Sequence, residues 1–149
     1  MKLPRTYPPL WFLLFSLIAL GLAEVSPAQL GLGPSIDCIA LSLAALGGLL
    51  ALWARWMFLQ ARTSVHPHQE SSCLLTHGVY RISRNPMYLG LLLSLSAWVI
   101  WLQNLGGLTL PPLFVLLINR CHIEPEERRL HARFGDAYRA YLKRTRRWL

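Results

Sequence analysis

Four long apolar stretches divide this chain, and few folds can accommodate so much hydrocarbon surface. They cover residues 10–23, 36–59, 87–102 and 105–118. A helix needs about 20 apolar residues to cross the hydrocarbon core of a bilayer, with about 17 as the lower end. The second stretch meets this length and the third nearly does, whereas the first reaches it only with residues 7–9 included and the fourth is short. Hydrophobic residues make up 54% of the chain and charged residues 15%, a balance typical of integral membrane proteins. We therefore predict one all-α membrane domain over residues 1–149.

The pattern of apolar residues predicts five helices. Four transmembrane helices are expected at about residues 8–24, 35–60, 86–103 and 106–120. An amphipathic cytoplasmic helix is expected at about residues 125–143, where Pro125 suits the first turn and Gly135 is a weak point. Its apolar face, at helical spacing, comprises Leu130, Phe134, Ala137, Tyr138 and Tyr141. We interpret Tyr138 and Tyr141 as packing residues.

The basic residues predict the orientation of these helices. All 15 fall in three regions: Lys2 and Arg5, then Arg55, Arg62, Arg81 and Arg84, then nine positions from Arg120 to Arg147. Excess lysine and arginine marks the cytoplasmic side, and the connections at 24–37 and 103–110 contain neither residue. We predict a multi-pass protein of the cell inner membrane with both termini in the cytoplasm. The net charge of +8 is then explained by attraction between the basic residues and the anionic headgroups of membrane lipids. No nucleic-acid partner is expected.

Two polar clusters flank the hairpin that the third and fourth spans should form. One enters the third span (Tyr80, Arg81, Arg84, Asn85, Tyr88) and the other leaves the fourth (Asn119, Arg120, His122, Glu124, Glu126, Glu127). Because residues 103–107 form a tight turn, the two inner ends should lie side by side. Ionisable groups crowded at a membrane surface indicate a functional site. Such a pocket suits a polar cofactor on one side and a lipophilic substrate on the other.

Other polar and small residues receive structural interpretations. His66, His68, Cys73, His77, Cys121 and His122 match no usual zinc spacing, so no metal is expected. The basic segment 144–148 is interpreted as a lipid-surface anchor. Ala44, Ala45, Gly47 and Gly48 would let another helix approach closely.

The segment from Leu75 to Gly90, LTHGVYRISRNPMYLG, resembles the signature of isoprenylcysteine carboxyl methyltransferases and of the related phospholipid N-methyltransferases. Residues 123–127, IEPEE, are similar to the second motif of that family. The two motifs in this order, separated by one helical hairpin, are more specific than either alone. The resemblance covers about residues 63–148. It implies an S-adenosylmethionine-dependent methyltransferase acting on a lipophilic acceptor, such as an isoprenylcysteine carboxylate or a phospholipid amine.

The resemblance also implies roles for individual residues. The cofactor would be bound by Cys73, Leu74, Leu75, Tyr80, Asn85, Pro86, Met87, Tyr88 and Glu126. Glu126 would hold a polar or cationic part of that cofactor. Arg84 and Arg120 are the candidate catalytic residues that orient the acceptor, together with His122, where relatives often carry arginine. This chain has Asn85 where many relatives have histidine.

Two other classes of function stay open. A membrane reductase of related fold is one, because sterol reductases share a similar C-terminal region. A small non-catalytic membrane protein that binds lipid or a partner is the other. The sequence also leaves open whether the acceptor atom is oxygen, nitrogen or sulfur, and which oligomeric state the protein adopts.

Overall fold

A computed structural model describes residues 7–25, 30–31, 33, 35–61 and 74–149, and all regular structure there is helical. The helices are α1 (Pro8–Val25), α2 (Ser35–Gln60), α3 (Pro86–Trp101), α4 (Leu110–Ile118) and α5 (Glu124–Arg144). Short 3₁₀ turns, Gly78–Arg81 and Gly106–Thr109, precede α3 and α4. A π-helical turn, Asn119–Ile123, joins α4 to α5. The predicted all-α class is confirmed.

Within the described residues, three helical segments are long and apolar enough to cross a membrane. They are Pro8–Val25, Ser35–Gln60 and the continuous run Gly106–Arg144. Helix α3 is also apolar but has only 16 residues. Large apolar side chains such as Leu17, Leu41 and Leu52 are more than half exposed, which suits contact with lipid. Length, composition and exposure together indicate an integral membrane protein.

Proline residues mark the starts of the last three helices. Pro86 stands in the first turn of α3, where a proline costs no intrahelical hydrogen bond, and Pro125 stands at the start of α5, directly after the π-helical turn. The fourth span and the amphipathic helix were expected as separate elements, but the π-helical turn joins them without a gap. A π-turn inserts an extra residue into a helix and is frequent at functional sites.

Gly135 interrupts α5, as its low helix propensity suggested. Its backbone has φ 49° and ψ −117°, which is far from helical. A Cβ atom at this position would meet nothing within 4 Å, so close packing is not the reason for the glycine. The positive φ is the reason, because glycine adopts it without the steric cost of a side chain.

Helices α2 and α3 approach each other closely at two glycines. A Cβ atom on Gly90 would lie 2.6 Å from the carbonyl oxygen of Gly47, and one on Gly47 would lie 2.7 Å from that of Gly90. The predicted close approach at Gly47 is therefore confirmed, whereas Gly48 faces open space. The contact brings Ala51, one turn further along α2, beside the start of α3.

We expect Gly90→Ala to destabilise the protein by about 1–3 kcal/mol, the usual cost of overpacking. The added methyl group would meet backbone atoms of Gly47 and Ala51, which cannot move unless the two helices separate. Thermal unfolding in detergent micelles, followed by circular dichroism, measures the effect. Gly48→Ala is the matched control and should leave the melting temperature unchanged or raise it, because alanine is the better helix former. Equal melting temperatures for the two variants would contradict the close approach.

Two hydrophobic clusters stabilise the fold. The first joins α1, α3 and α4, and in it the rings of Phe15 and Phe114 meet edge to face with centroids 5.5 Å apart. The second joins the end of α2 to the turn before α3 and to α5; it comprises Ala54, Met57, Leu75, Val79, Tyr80, Tyr138 and Tyr141. The packing role predicted for Tyr138 and Tyr141 is confirmed.

The C-terminal segment 144–148, interpreted from the sequence as a lipid-surface anchor, is also attached to the protein itself. It returns to the protein, where the backbone N–H of Arg84 donates to the carbonyl oxygen of Arg146 at 3.0 Å. The indole N–H of Trp148 donates to Asn119 Oδ1 at 3.2 Å, and its ring packs against the first cluster. Backbone pairing and a partly buried indole thus hold the segment against α3 and the π-helical turn.

Candidate functional site

A cavity of about 240 Å³ lies between the end of α2 and the beginnings of α1, α3 and α5. Its wall consists of Tyr7, Pro8 and Pro9; Ala51, Arg55 and Phe58; Tyr80; Arg84, Asn85, Pro86, Met87, Tyr88 and Leu91; and Glu126. The two polar clusters predicted from the sequence therefore meet at this cavity. Residues of α1 and α2, mostly apolar, form its opposite side.

The 3₁₀ turn Gly78–Arg81 positions Tyr80 in the wall. Gly78 has φ +58° and packs so closely on α2 that a Cβ atom would lie 2.7 Å from the sulfur of Met57. The ring of Tyr80 meets Phe58 edge to face with centroids 5.6 Å apart, and the hydroxyl of Tyr141 donates to the Tyr80 carbonyl oxygen at 2.6 Å. Glycine is favoured at position 78 because of this positive φ, whereas the flexible end of the Met57 side chain could move aside for a Cβ atom.

The hydroxyl group of Tyr80 is buried and has no hydrogen-bond partner among the described residues. Burial, with smaller contributions from Glu126 and Tyr141, raises the pKa of Tyr80 well above its ordinary value. The phenol therefore stays protonated at neutral pH. A buried hydroxyl without a partner costs free energy, so a ligand that accepts its hydrogen bond would be stabilised there.

Glu126 provides a carboxylate in the same wall. It lies in the first turn of α5, directly after the π-helical turn that continues α4, and burial raises the pKa of its carboxyl group above the ordinary value. The hydroxyl of Tyr88, in the first turn of α3, donates to Glu126 Oε2 at 3.3 Å. This contact joins the two sequence motifs directly and fixes the carboxylate at the cavity.

Glu127 has a different role, because two guanidinium groups bind it. Arg84 Nη1 donates to its Oε1 at 3.0 Å, and Arg147 binds it through both Nε and Nη2. The side chains of Arg84 and Glu127 are only 15% and 18% exposed. The hydrogen bonds to Glu127 raise the pKa of Arg147 above its ordinary value. Glu127 therefore binds two arginine side chains, whereas Glu126 is the carboxylate that lines the cavity.

Asn85 lines the cavity, and its side chain also holds the C-terminal segment. Its Nδ2 donates to the carbonyl oxygen of Arg147 at 2.9 Å, while its backbone N–H donates to Ser83 Oγ at 3.1 Å. Pro86 and Met87 follow it in the wall, at the start of α3. The side-chain amide of Asn85 therefore stabilises the cavity wall by binding the backbone carbonyl of Arg147.

Several predicted site residues lie away from the cavity. Arg120 is exposed on the π-helical turn, and His122 is buried behind Tyr88, with ring centroids 6.2 Å apart. Leu75 belongs to the second hydrophobic cluster, and Leu74 lines a separate groove beside Arg81. Cys73 lies outside the described residues, and the roles assigned to all five stay predictions.

The cavity wall also contains three residues of α2 that were not predicted from the sequence: Ala51, Arg55 and Phe58. They share one face of α2 at helical spacing, since positions three and four apart lie on the same side of a helix. Arg55 was the available signal, because a charged residue inside an apolar span indicates function.

No three histidine, cysteine, aspartate or glutamate side chains come together within the described ranges. His66, His68 and Cys73, which were considered as metal ligands and set aside, fall in the part of the chain that is not described.

A model of the phospholipid methyltransferase family matches residues 36–137, which include both motifs and every helix except α1 in whole or in part. The chain belongs to the phospholipid methyltransferase family. The family resemblance predicted from the motifs is thereby confirmed. A relative from Haemophilus influenzae, described as an uncharacterized protein, is 48% identical over 63 residues, which are 42% of this chain and all of the relative. No solved structure matches the chain.

Membership in the phospholipid methyltransferase family makes this protein a methyltransferase of the membrane type. Its cavity combines aromatic rings, a carboxylate, guanidinium groups and apolar side chains in one wall. Such a wall can bind a polar cation and a hydrocarbon chain next to each other. The first helix and the segment from Tyr138 onward lie outside the matched range, so Arg147 is a feature of this chain beyond the family match.

Proposed function

We propose that this protein transfers a methyl group from S-adenosylmethionine to a lipophilic acceptor. The acceptor would be a phospholipid amine, an isoprenylcysteine-like carboxylate or a similar group attached to a hydrocarbon chain. The main support for this proposal is the cavity lined by Tyr80 and Glu126. It contains a buried phenol without a hydrogen-bond partner among the described residues, a carboxylate, and the apolar side chains of the neighbouring helices. Family membership supports the type of reaction.

The proposed orientation puts four spans in the cell inner membrane, with both termini and the cavity on the cytoplasmic side. The distribution of lysine and arginine supports it, since basic residues cluster at the cavity end of the bundle. Trp53 and Trp56 are half-exposed near the same end of α2, and amphipathic aromatic side chains favour the headgroup level. Helix α3 would be the short third span.

The residues of the cavity fit S-adenosylmethionine by their chemistry. Glu126 suits the ammonium group of the methionine part, and the Tyr80 hydroxyl and the Arg55 guanidinium can donate to oxygen atoms of the cofactor. Aromatic rings attract cations and stack on flat bases, so Phe58, Tyr80 and Tyr88 suit the sulfonium and the adenine. Each charged or planar part of the cofactor thus has a complementary group in the wall.

When bound, S-adenosylmethionine would supply an electrophilic methyl group: the acceptor atom would bond to the methyl carbon as the carbon–sulfur bond breaks, and S-adenosylhomocysteine would leave as a neutral thioether. An amine acceptor would first have to lose its proton to water. The protein needs no covalent nucleophile for such a step, and its contribution is positioning. Tyr88 holds Glu126 in place, and Glu127 holds Arg84, which would orient an anionic part of the acceptor. Pro9, Ala51 and Leu91 would receive the hydrocarbon and exclude water, which strengthens the electrostatic contacts.

The test is methyl transfer by the purified protein in vesicles of bacterial phospholipids. We expect methyl-labelled S-adenosylmethionine to bind and its label to appear in the lipid extract. Mass spectrometry of the labelled lipid would identify the acceptor atom. A failure to bind the cofactor, when a known methyltransferase binds it under the same conditions, would overturn the proposal. A non-catalytic lipid-binding protein or a reductase would give that negative result.

A further inference from the structure

The C-terminal segment Thr145–Trp148 is tied to the first motif by its backbone. Ser83 and Arg146 form an isolated parallel bridge, and the Arg84 N–H donates to the Arg146 carbonyl oxygen. The Arg147 carbonyl oxygen accepts from Ser83 Oγ at 3.3 Å and from Asn85 Nδ2 at 2.9 Å. Three consecutive residues before α3 are therefore held by two consecutive residues of this segment.

The side chain of Arg147 links the same segment to the second motif. Its guanidinium donates two hydrogen bonds to Glu127, and Glu127 in turn accepts one from Arg84. Two-bond pairs between arginine and a carboxylate are directional as well as strong. Arg147 therefore restricts the orientation of the carboxylate on which the position of Arg84 depends.

The charges of this trio give the arrangement a second consequence. Two guanidinium groups share one carboxylate, so Arg84, Glu127 and Arg147 together carry one net positive charge. Without Arg147, Glu127 would neutralise Arg84 completely. The Arg84 guanidinium, whose Nε is buried without a partner among the described residues, lines the cavity. An anionic part of an acceptor in the cavity would be attracted by that net positive charge.

We propose that Arg147 is a positioning residue of the active site, acting on Arg84 through Glu127. It fixes the Arg84 guanidinium at the cavity and keeps it electropositive toward a phosphate or carboxylate group of the acceptor. This inference rests on the proposed methyl transfer. It extends the site to a residue outside the range that matches the family.

The test compares Arg147→Gln with Arg139→Gln in reconstituted vesicles. Arg139 is the matched control, because it also pairs with a carboxylate of Asp136, but the two side chains are 62% and 93% exposed. Exposed pairs of this kind contribute little. We expect Arg147→Gln to lower kcat/KM for the acceptor about tenfold, with the Kd of S-adenosylmethionine changed less than threefold. Arg139→Gln should leave both values unchanged.

The variant Arg147→Lys separates charge from geometry. Lysine keeps the positive charge but cannot form the two-bond fork, so only part of the loss should be recovered. It also keeps the test decisive where Arg147→Gln fails to fold. Equal values of kcat/KM for Arg147→Gln, Arg147→Lys and Arg139→Gln would overturn the proposal.

A double-mutant comparison excludes a merely structural role. Because Arg147 acts through Arg84, its removal should lower kcat/KM less than twofold when Arg84 is already glutamine. A segment that only holds the fold together would produce the same tenfold loss in both backgrounds, and that result would overturn the proposal.

Hydrogen exchange separates this inference from the proposed function. If the wild-type protein transfers no methyl group, methyl transfer itself is contradicted. The exchange rate of the Arg84 amide still tests the link, because that amide is bonded to the Arg146 carbonyl oxygen. Arg147→Gln should raise the rate in the peptide containing residues 83–85 at least tenfold over Arg139→Gln. Equal rates would overturn the role of Arg147 independently of the activity.

Discussion

Replacing Glu126 by glutamine should weaken the binding of S-adenosylmethionine about 100-fold. Glutamine has nearly the size of glutamate and can still accept the hydrogen bond from Tyr88, so the wall should keep its shape. The negative charge is lost, and hydrogen bonds to charged groups contribute about 1.5–3 kcal/mol. A 100-fold change corresponds to about 2.7 kcal/mol. Equilibrium binding of labelled S-adenosylmethionine to the purified protein measures the effect.

Glu124→Gln is the matched control for this prediction. Glu124 lies in the same first turn of α5, but it does not line the cavity. Its replacement should therefore change the Kd less than twofold. Tyr88→Phe should fall between the two variants, at about 5–10-fold, because the carboxylate loses its orienting donor but keeps its charge. Equal affinities of the Glu126 and Glu124 variants would contradict the cofactor role of Glu126.

Apolar length and proline position made the helices predictable from the sequence. A long apolar run has one stable backbone in lipid, because helical hydrogen bonds satisfy every peptide group within the segment. Pro86 and Pro125 then fixed where α3 and α5 begin. The π-helical turn at Asn119–Ile123 was not predictable, since helix propensity does not distinguish it from a loop or from a continuous α-helix. Packing of the surrounding helices decides between them.

The meeting of the two motifs followed from the hairpin alone. Antiparallel neighbours joined by a tight turn bring their far ends together, and this placed Arg84 and Tyr88 beside Glu127 and Glu126. Phe58 and Arg55 line the cavity only because α2 is rotated about its axis so that this face points toward it. That rotation is set by the close contact of Gly47 with Gly90. The small residues of α2 predicted a close approach, but they did not indicate that Gly90 would be the partner.

The return of the C-terminal segment was missed for a related reason. Residues 144–148 are strongly basic, and a basic end beside a membrane favours the lipid surface. The structure pairs this segment through backbone atoms of Arg146 and Arg147, which any residue type could provide. The side chain of Arg147 binds Glu127, a member of the polar cluster predicted after the fourth span. A carboxylate that serves two arginines cannot be recognised from spacing alone.

Replacing Arg84 by alanine should lower kcat about 100-fold while changing the Kd of S-adenosylmethionine less than fivefold. The fold should survive the change, because Arg147 still pairs with Glu127 and no isolated buried charge is left behind. The acceptor would lose the guanidinium that orients its anionic part, and misplacement of a reacting group by about 1 Å can cost a factor of 100. Steady-state methyl transfer in vesicles and equilibrium cofactor binding measure the two quantities.

The ratio of the two losses decides the role of Arg84. Arg84→Lys keeps the charge and should recover part of kcat, since one of the donors to Glu127 is retained but the planar geometry is not. Equal losses in kcat and in cofactor affinity would assign Arg84 to the cofactor instead of the acceptor. Residues of both motifs, including Arg84, would then bind the cofactor. The acceptor would have to be oriented by α2, whose Arg55 guanidinium lines the cavity.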